Sequence, residues 1–137
     1  MRVIASTFLL LLLTNVACTR SAQPDSEWQP IATVPGAFRR YLIGDTRKPG
    51  PFKYQLKIPA GSRLGAHQHS QDVHVKVVSG SMFIILGEPL DSSRAQHFVT
   101  GSVFIVPAHT WHDEWWDAET FLEAEGVGPS ETVFKTQ

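Results

Sequence analysis

Residues 61–69 read Gly-Ser-Arg-Leu-Gly-Ala-His-Gln-His, and residues 101–112 read Gly-Ser-Val-Phe-Ile-Val-Pro-Ala-His-Thr-Trp-His. Around these two windows, short β-branched and aromatic clusters at 37–43, 51–58, 73–78, 81–86, 96–99, 102–106 and 120–124 alternate with turn formers. The turn formers include Pro59-Ala60-Gly61, Ser79-Gly80, Gly87-Glu88-Pro89, Thr100-Gly101 and Gly126-Val127-Gly128-Pro129. Clusters of this length between such punctuation predict strands, and no stretch offers a convincing amphipathic helix. Many short strands in one chain predict an all-β fold, a closed antiparallel sandwich or barrel that hides its own edges. Phe83, Ile85, Phe104 and Val106 are the core candidates.

With 12 Lys+Arg against 13 Asp+Glu and a net charge of -1, the chain has no nucleic-acid footprint. At 18% charged and 42% hydrophobic it has the composition of a folded protein, and 137 residues suffice for one domain. The single cysteine, Cys18, excludes an intrachain disulfide and a cysteine-rich zinc site. Any metal must therefore be held by His, Asp or Glu.

Arg2 precedes an apolar run from Val3 to Leu13, which is too short to span a bilayer at about 20 residues and has the form of an export signal. Residues 1–17 are read as the signal peptide, 18–30 as a polar tether containing Pro24 and Pro30, and 31–137 as the barrel domain. Asn15-Val16-Ala17-Cys18 resembles the bacterial lipoprotein signal, in which the cysteine is lipidated. Cleavage or lipidation are the two alternatives, so the protein is expected to be exported, either periplasmic or anchored to the membrane only through Cys18.

Five of six histidines lie in or near the two quoted windows. On a strand, residues two apart share a face, so His67 and His69 can aim both rings at one point, as a divalent transition metal requires of neutral nitrogen donors. His112, following the strand at 102–106, is the expected third ligand. A nucleophile elbow is absent at Ser79-Gly80-Ser81, and Gly126-Val127-Gly128-Pro129 lacks the donors of a phosphate loop.

Gly61, five residues, His67-Gln68-His69 and then Gly80 resembles the first motif of the cupins, and Gly101, five residues, Pro107 and later His112 resembles the second. The resemblance covers roughly residues 50–130. It implies a double-stranded β-helix, the jelly-roll barrel, with a metal between the two motifs, and dioxygenase, isomerase, lyase or cyclase chemistry on a small molecule. It also implies dimerisation through an N-terminal strand, for which 31–43 is the pairing segment. Two positions depart from the pattern. Where the glutamate ligand belongs stands Val73, and His109 replaces a glycine, which makes its role structural or supporting.

Three ways of completing the site remain. His74 can replace the glutamate only if a bulge turns it inward, since alternation puts Val73, Val75 and Val77 inside and His74 and Lys76 outside. Glu114, Glu123 or Glu125 can supply a carboxylate instead. The last way is a three-histidine site with open positions for water or substrate. Glu114, or with less support Asp113, can move a proton. Trp111, Trp115 and Trp116 can wall a pocket or fill the core, and His97 has no assigned role. The metal is Fe, Mn, Ni or Zn, since all-histidine ligation suits several ions. The functional readings are thus a metal-dependent enzyme, a metal- or ligand-binding barrel without turnover, and a metal-free interaction barrel.

Overall fold

The structure, a computed structural model, describes residues 27–136. The signal peptide at 1–17, the lipidation site Cys18 and most of the tether at 18–30 lie outside the described residues, as does Gln137. The chain forms strands β1 (Gln29–Pro30), β2 (Phe38–Ile43), β3 (Gly50–Ile58), β4 (Ser62–His69), β5 (Val73–Ser79), β6 (Ser81–Leu86), β7 (Gln96–Val99), β8 (Val103–Val106), β9 (His112–Trp116), β10 (Thr120–Gly128) and β11 (Thr132–Phe134). A single 3-10 turn, Ser92–Arg94, is capped by the Asp91 carboxylate, which accepts from the Ser93 N–H.

Six strands in the order β1-β2-β3-β10-β5-β8 form one sheet, and five in the order β11-β4-β9-β6-β7 form the other. Every pairing is antiparallel, and strands alternate between the sheets from β3 to β6 and again from β7 to β11, in keeping with the expected jelly roll. Alternating side chains fill the space between the sheets: Val73, Val75 and Val77 from β5, Met82 and Ile84 from β6, Leu122 and Ala124 from β10, and Trp116 from β9. Among the described residues, fourteen buried hydrophobic side chains make a core that needs no metal to hold it together.

Phe83 does not belong to that core, whereas Ile85 is fully buried as expected. Met82 and Ile84 take the inward positions of β6, so period-two alternation sends Phe83 to the outer face. There Phe83 stacks between Trp115 and His97, at ring-centre distances of 5.3 and 4.3 Å. Phe104 and Val106 pack in the interior as expected. Gly126 is a strand residue rather than part of a turn. A Cβ there would lie 2.7 Å from the Phe52 ring and 2.8 Å from the Asp72 carbonyl oxygen. The first paired residues, Gln29 and Pro30, fall within the stretch read as tether.

β5 passes into β6 through Gly80, with φ of 83°, where an added Cβ would stand 2.4 Å from the Glu119 carbonyl oxygen and 2.6 Å from Thr120 Oγ1. The buried Thr120 hydroxyl donates to Ser81 O and accepts from Ser81 N–H, tying that turn to the start of β10. Gly80→Ala combines a left-handed backbone with a backbone clash and should lose about 2–4 kcal/mol in urea unfolding. Gly101→Ala, at φ of 90° but in open space, should lose only about 1 kcal/mol.

Candidate metal centre

The metal-site strands β4 and β9 are adjacent, and their register sets His67 opposite His112. Leu64 lies opposite Glu114, so three steps on β4 match two on β9. The extra residue is a bulge at Gly65–Ala66. It shifts the alternation by one, so that Leu64 and His67, which uninterrupted pairing would put on opposite faces, both point inward. His69 follows two residues later on the same face.

The donor nitrogens of His67, His69 and His112 all lie within 4.8 Å of one another. His67 and His112 are each 1% exposed, with ring centres 4.0 Å apart, and His69 is half-buried. Each Nδ1 is already engaged: His67 donates to the Gly65 carbonyl at 2.8 Å, His112 donates to the Thr110 carbonyl at 2.9 Å, and His69 pairs with the Thr132 hydroxyl at 3.0 Å. A carbonyl partner fixes the neutral tautomer protonated on Nδ1 and leaves the Nε2 lone pair free, which is how metal-binding imidazoles are oriented. The donor set therefore fits a divalent transition ion with open coordination positions.

Burial drives the electrostatics. Desolvation, with the neighbouring His112, pushes His67 down to about 3 and His69 down to about 4, and desolvation also lowers His112. Glu114 follows His112 by two residues and shares its inward face. Desolvation, reinforced by the charge of Asp113, raises its carboxyl to about 8. Asp113 points the other way. It lies on the outer face, bidentate to Arg63, which leaves Glu114 as the inward acid.

The remaining candidates are elsewhere. His74 is exposed on the outer face of β5, opposite Glu125 and Ile105, so no bulge turns it inward and it is not part of the cluster. Glu123 and Glu125 pair with Lys53 on that outer face at 3.1 and 3.5 Å. The glutamate position of the resembled motif is a buried Val73 side chain within the core, giving an apolar wall with no donor. Trp116 fills the core, Trp115 stacks outside, and Trp111 is half-buried beneath the Lys135 ammonium. His109 holds φ of 55°, the left-handed conformation that glycine adopts freely, and its N–H donates to the His69 carbonyl at 2.8 Å. Its role is thus in the backbone turn. Tyr54 went unnoticed in the sequence. It stands inside the barrel, stacked on Phe52, and interacts electrostatically with Glu114. Only its position within a β-branched and aromatic cluster could have flagged it.

No family model matches the chain, and no curated protein matches it in sequence. Solved structures do resemble it. An RmlC-like cupin from Shewanella frigidimarina aligns at 18% identity and TM-score 0.60, over 73% of this chain and 81% of that one. A candidate acetylacetone dioxygenase from Methylibium petroleiphilum aligns at 15% identity and TM-score 0.63, over 93% and 85% of the two chains. Salicylate 1,2-dioxygenase from Pseudoaminobacter salicylatoxidans aligns at 15% identity and TM-score 0.64, but this chain, 80% covered, spans only 31% of that one. The fold is that of the cupins.

Metal-free protein should lose stability as pH falls. The three imidazoles are neutral in the fold, whereas in the unfolded chain they take protons near the ordinary 6.5. Their contribution is intact above about pH 7 and is lost progressively from there toward about 4, because the unfolded state binds more protons. Urea midpoints of the chelator-treated protein should decline over that interval, and His67→Gln should flatten the decline; equal slopes would refute the assignment.

Proposed function

We propose that this is an exported metal-dependent enzyme of the cupin type, acting on a small organic molecule. His67, His69 and His112 hold Fe, Mn, Ni or Zn, and Glu114 moves a proton. The observation that carries this reading is the convergence of three imidazoles, two of them buried and one half-buried, whose second nitrogens are already bonded to the protein. Such an arrangement costs desolvation and is of no use to packing. When bound, the ion supplies Lewis-acid polarisation, and for iron or manganese redox chemistry, at open positions facing the barrel interior.

Glu114 occupies the same inward face two residues from His112. Its burial keeps the carboxyl protonated near neutrality, so it can donate a proton to substrate and take one back. Dioxygenase, isomerase, lyase and cyclase reactions are all consistent with this set of groups. The likeness to salicylate 1,2-dioxygenase and to a candidate acetylacetone dioxygenase favours the first.

One observation favours a second reading, a metal- or ligand-binding barrel without turnover: Val73 leaves the ion one donor fewer than the resembled motif supplies. Metal analysis decides the first point. Wild-type protein should carry about one ion per chain and His67→Ala/His69→Ala at least tenfold less; near-zero metal in both would leave an interaction barrel alone.

Oxygen uptake and substrate loss across a panel of small organic acids then separate enzyme from binder. In an enzyme, Glu114→Gln should keep its metal and lose about 100-fold or more in turnover.

A further inference from the structure

The two sheets do not close completely. Between β2 and β11 a cleft of about 550 Å³ opens, lined by Arg39 and Tyr41 on one side and by Thr132 and Val133 on the other. Thr132 is also the residue whose hydroxyl bonds His69 at 3.0 Å, which ties the cleft wall to one of the three histidines. Alternation along β2 accounts for the cation there. Arg40 is opposite Gln55 and bonds it on the outer face, whereas Arg39, opposite Leu56, and Tyr41, opposite Tyr54, belong to the inner one.

The Arg39 guanidinium lies over two tyrosine rings, 4.9 Å from the centre of Tyr41 and 5.9 Å from that of Tyr54. Tyr54 in turn interacts electrostatically with Glu114. Among the described residues Arg39 has no carboxylate within ion-pair distance, although Glu131 lines the same cleft. The other cation there, Arg47, is already bound bidentately to Asp45 at 3.0 and 2.6 Å. A half-buried guanidinium held by aromatic faces keeps its N–H edge available for a planar, two-oxygen acceptor.

We infer that Arg39 anchors an anionic group of the substrate, making the substrate class a small organic acid whose carboxylate is several bonds from the group that meets the metal. This rests on the metal-site reading above and adds the substrate class to it. A carboxylate at Arg39 would lie along the cleft, with the rest of the molecule passing Thr132 and Tyr54 toward the histidines and Glu114. Arg39 is then a specificity residue, acting through binding and not through the chemical step.

The test uses the full-length chain, metal-free and zinc-loaded, titrated with glutarate and with its uncharged isostere glutaramide. Calorimetry reads affinity, and the 15Nε resonance of Arg39 reads location. Wild-type protein should prefer glutarate at least tenfold and shift the Arg39 resonance on saturation. Arg39→Gln should keep its zinc and lose at least fivefold of that preference, while Arg39→Lys, which retains the charge, keeps most of it. An unmoved Arg39 resonance in the wild type, or a preference that survives Arg39→Gln, overturns the inference. The resonance arm decides the matter even if the glutamine variant fails to fold. Failure to take up zinc, with an Arg39-dependent preference persisting in metal-free protein, would sink the metal reading and leave the anchor standing; zinc uptake without that preference would do the reverse.

Discussion

Three imidazoles in a largely apolar barrel must give up water, and everything else about the site follows from how that cost is met. A buried charged ring is prohibitive, so the fold holds them neutral, with desolvation carrying His67 and His69 far below the ordinary histidine range. Neutrality leaves each ring one donor and one acceptor. Carbonyls of Gly65 and Thr110 take the donors of His67 and His112, and the Thr132 hydroxyl bonds His69. What remains is a set of lone pairs directed into a common space. In a core optimised for stability alone those positions would be aliphatic, as Val73 is.

The same alternation that collects the histidines sorts the other polar groups of β9 into two populations. Glu114 inherits the inward face of His112 and Trp116, and burial makes it a reluctant acid. Asp113 and Trp115 take the outer face, where Arg63 neutralises the carboxylate and the indole joins a row of stacked planar groups running through Phe83 to His97. Adjacent acids thus differ in character because of a single strand step, and only the inward one has access to whatever the histidines bind.

The open seam at β2 and β11 gives the barrel a second chemical character. There the side chains are of use to a ligand: Arg39 lies over two tyrosine rings and Thr132, on the edge strand β11, supports His69. Arg39 and Thr132 therefore line one cleft from opposite sheets, and Thr132 connects it to His69.

Fold class, the histidine pair and its partner were legible in the sequence, because β-branched clusters and glycine punctuation mark strands and because His67, His69 and His112 are spaced as strand geometry demands. Strands β4 and β9 carried little of that signal, since their inward positions are occupied by histidine and glutamate instead of aliphatic residues. Likewise Phe83 looked like core, because composition alone cannot give the phase of a strand. Tertiary structure decided the phase. The bulge at Gly65–Ala66 turns His67 to the same side as Leu64, regular pairing of β5 leaves His74 outside, and the approach of β11 to β4 brings Thr132 to His69 from 63 residues away. Local spacing determines which residues share a face; only pairing between distant strands determines what that face meets.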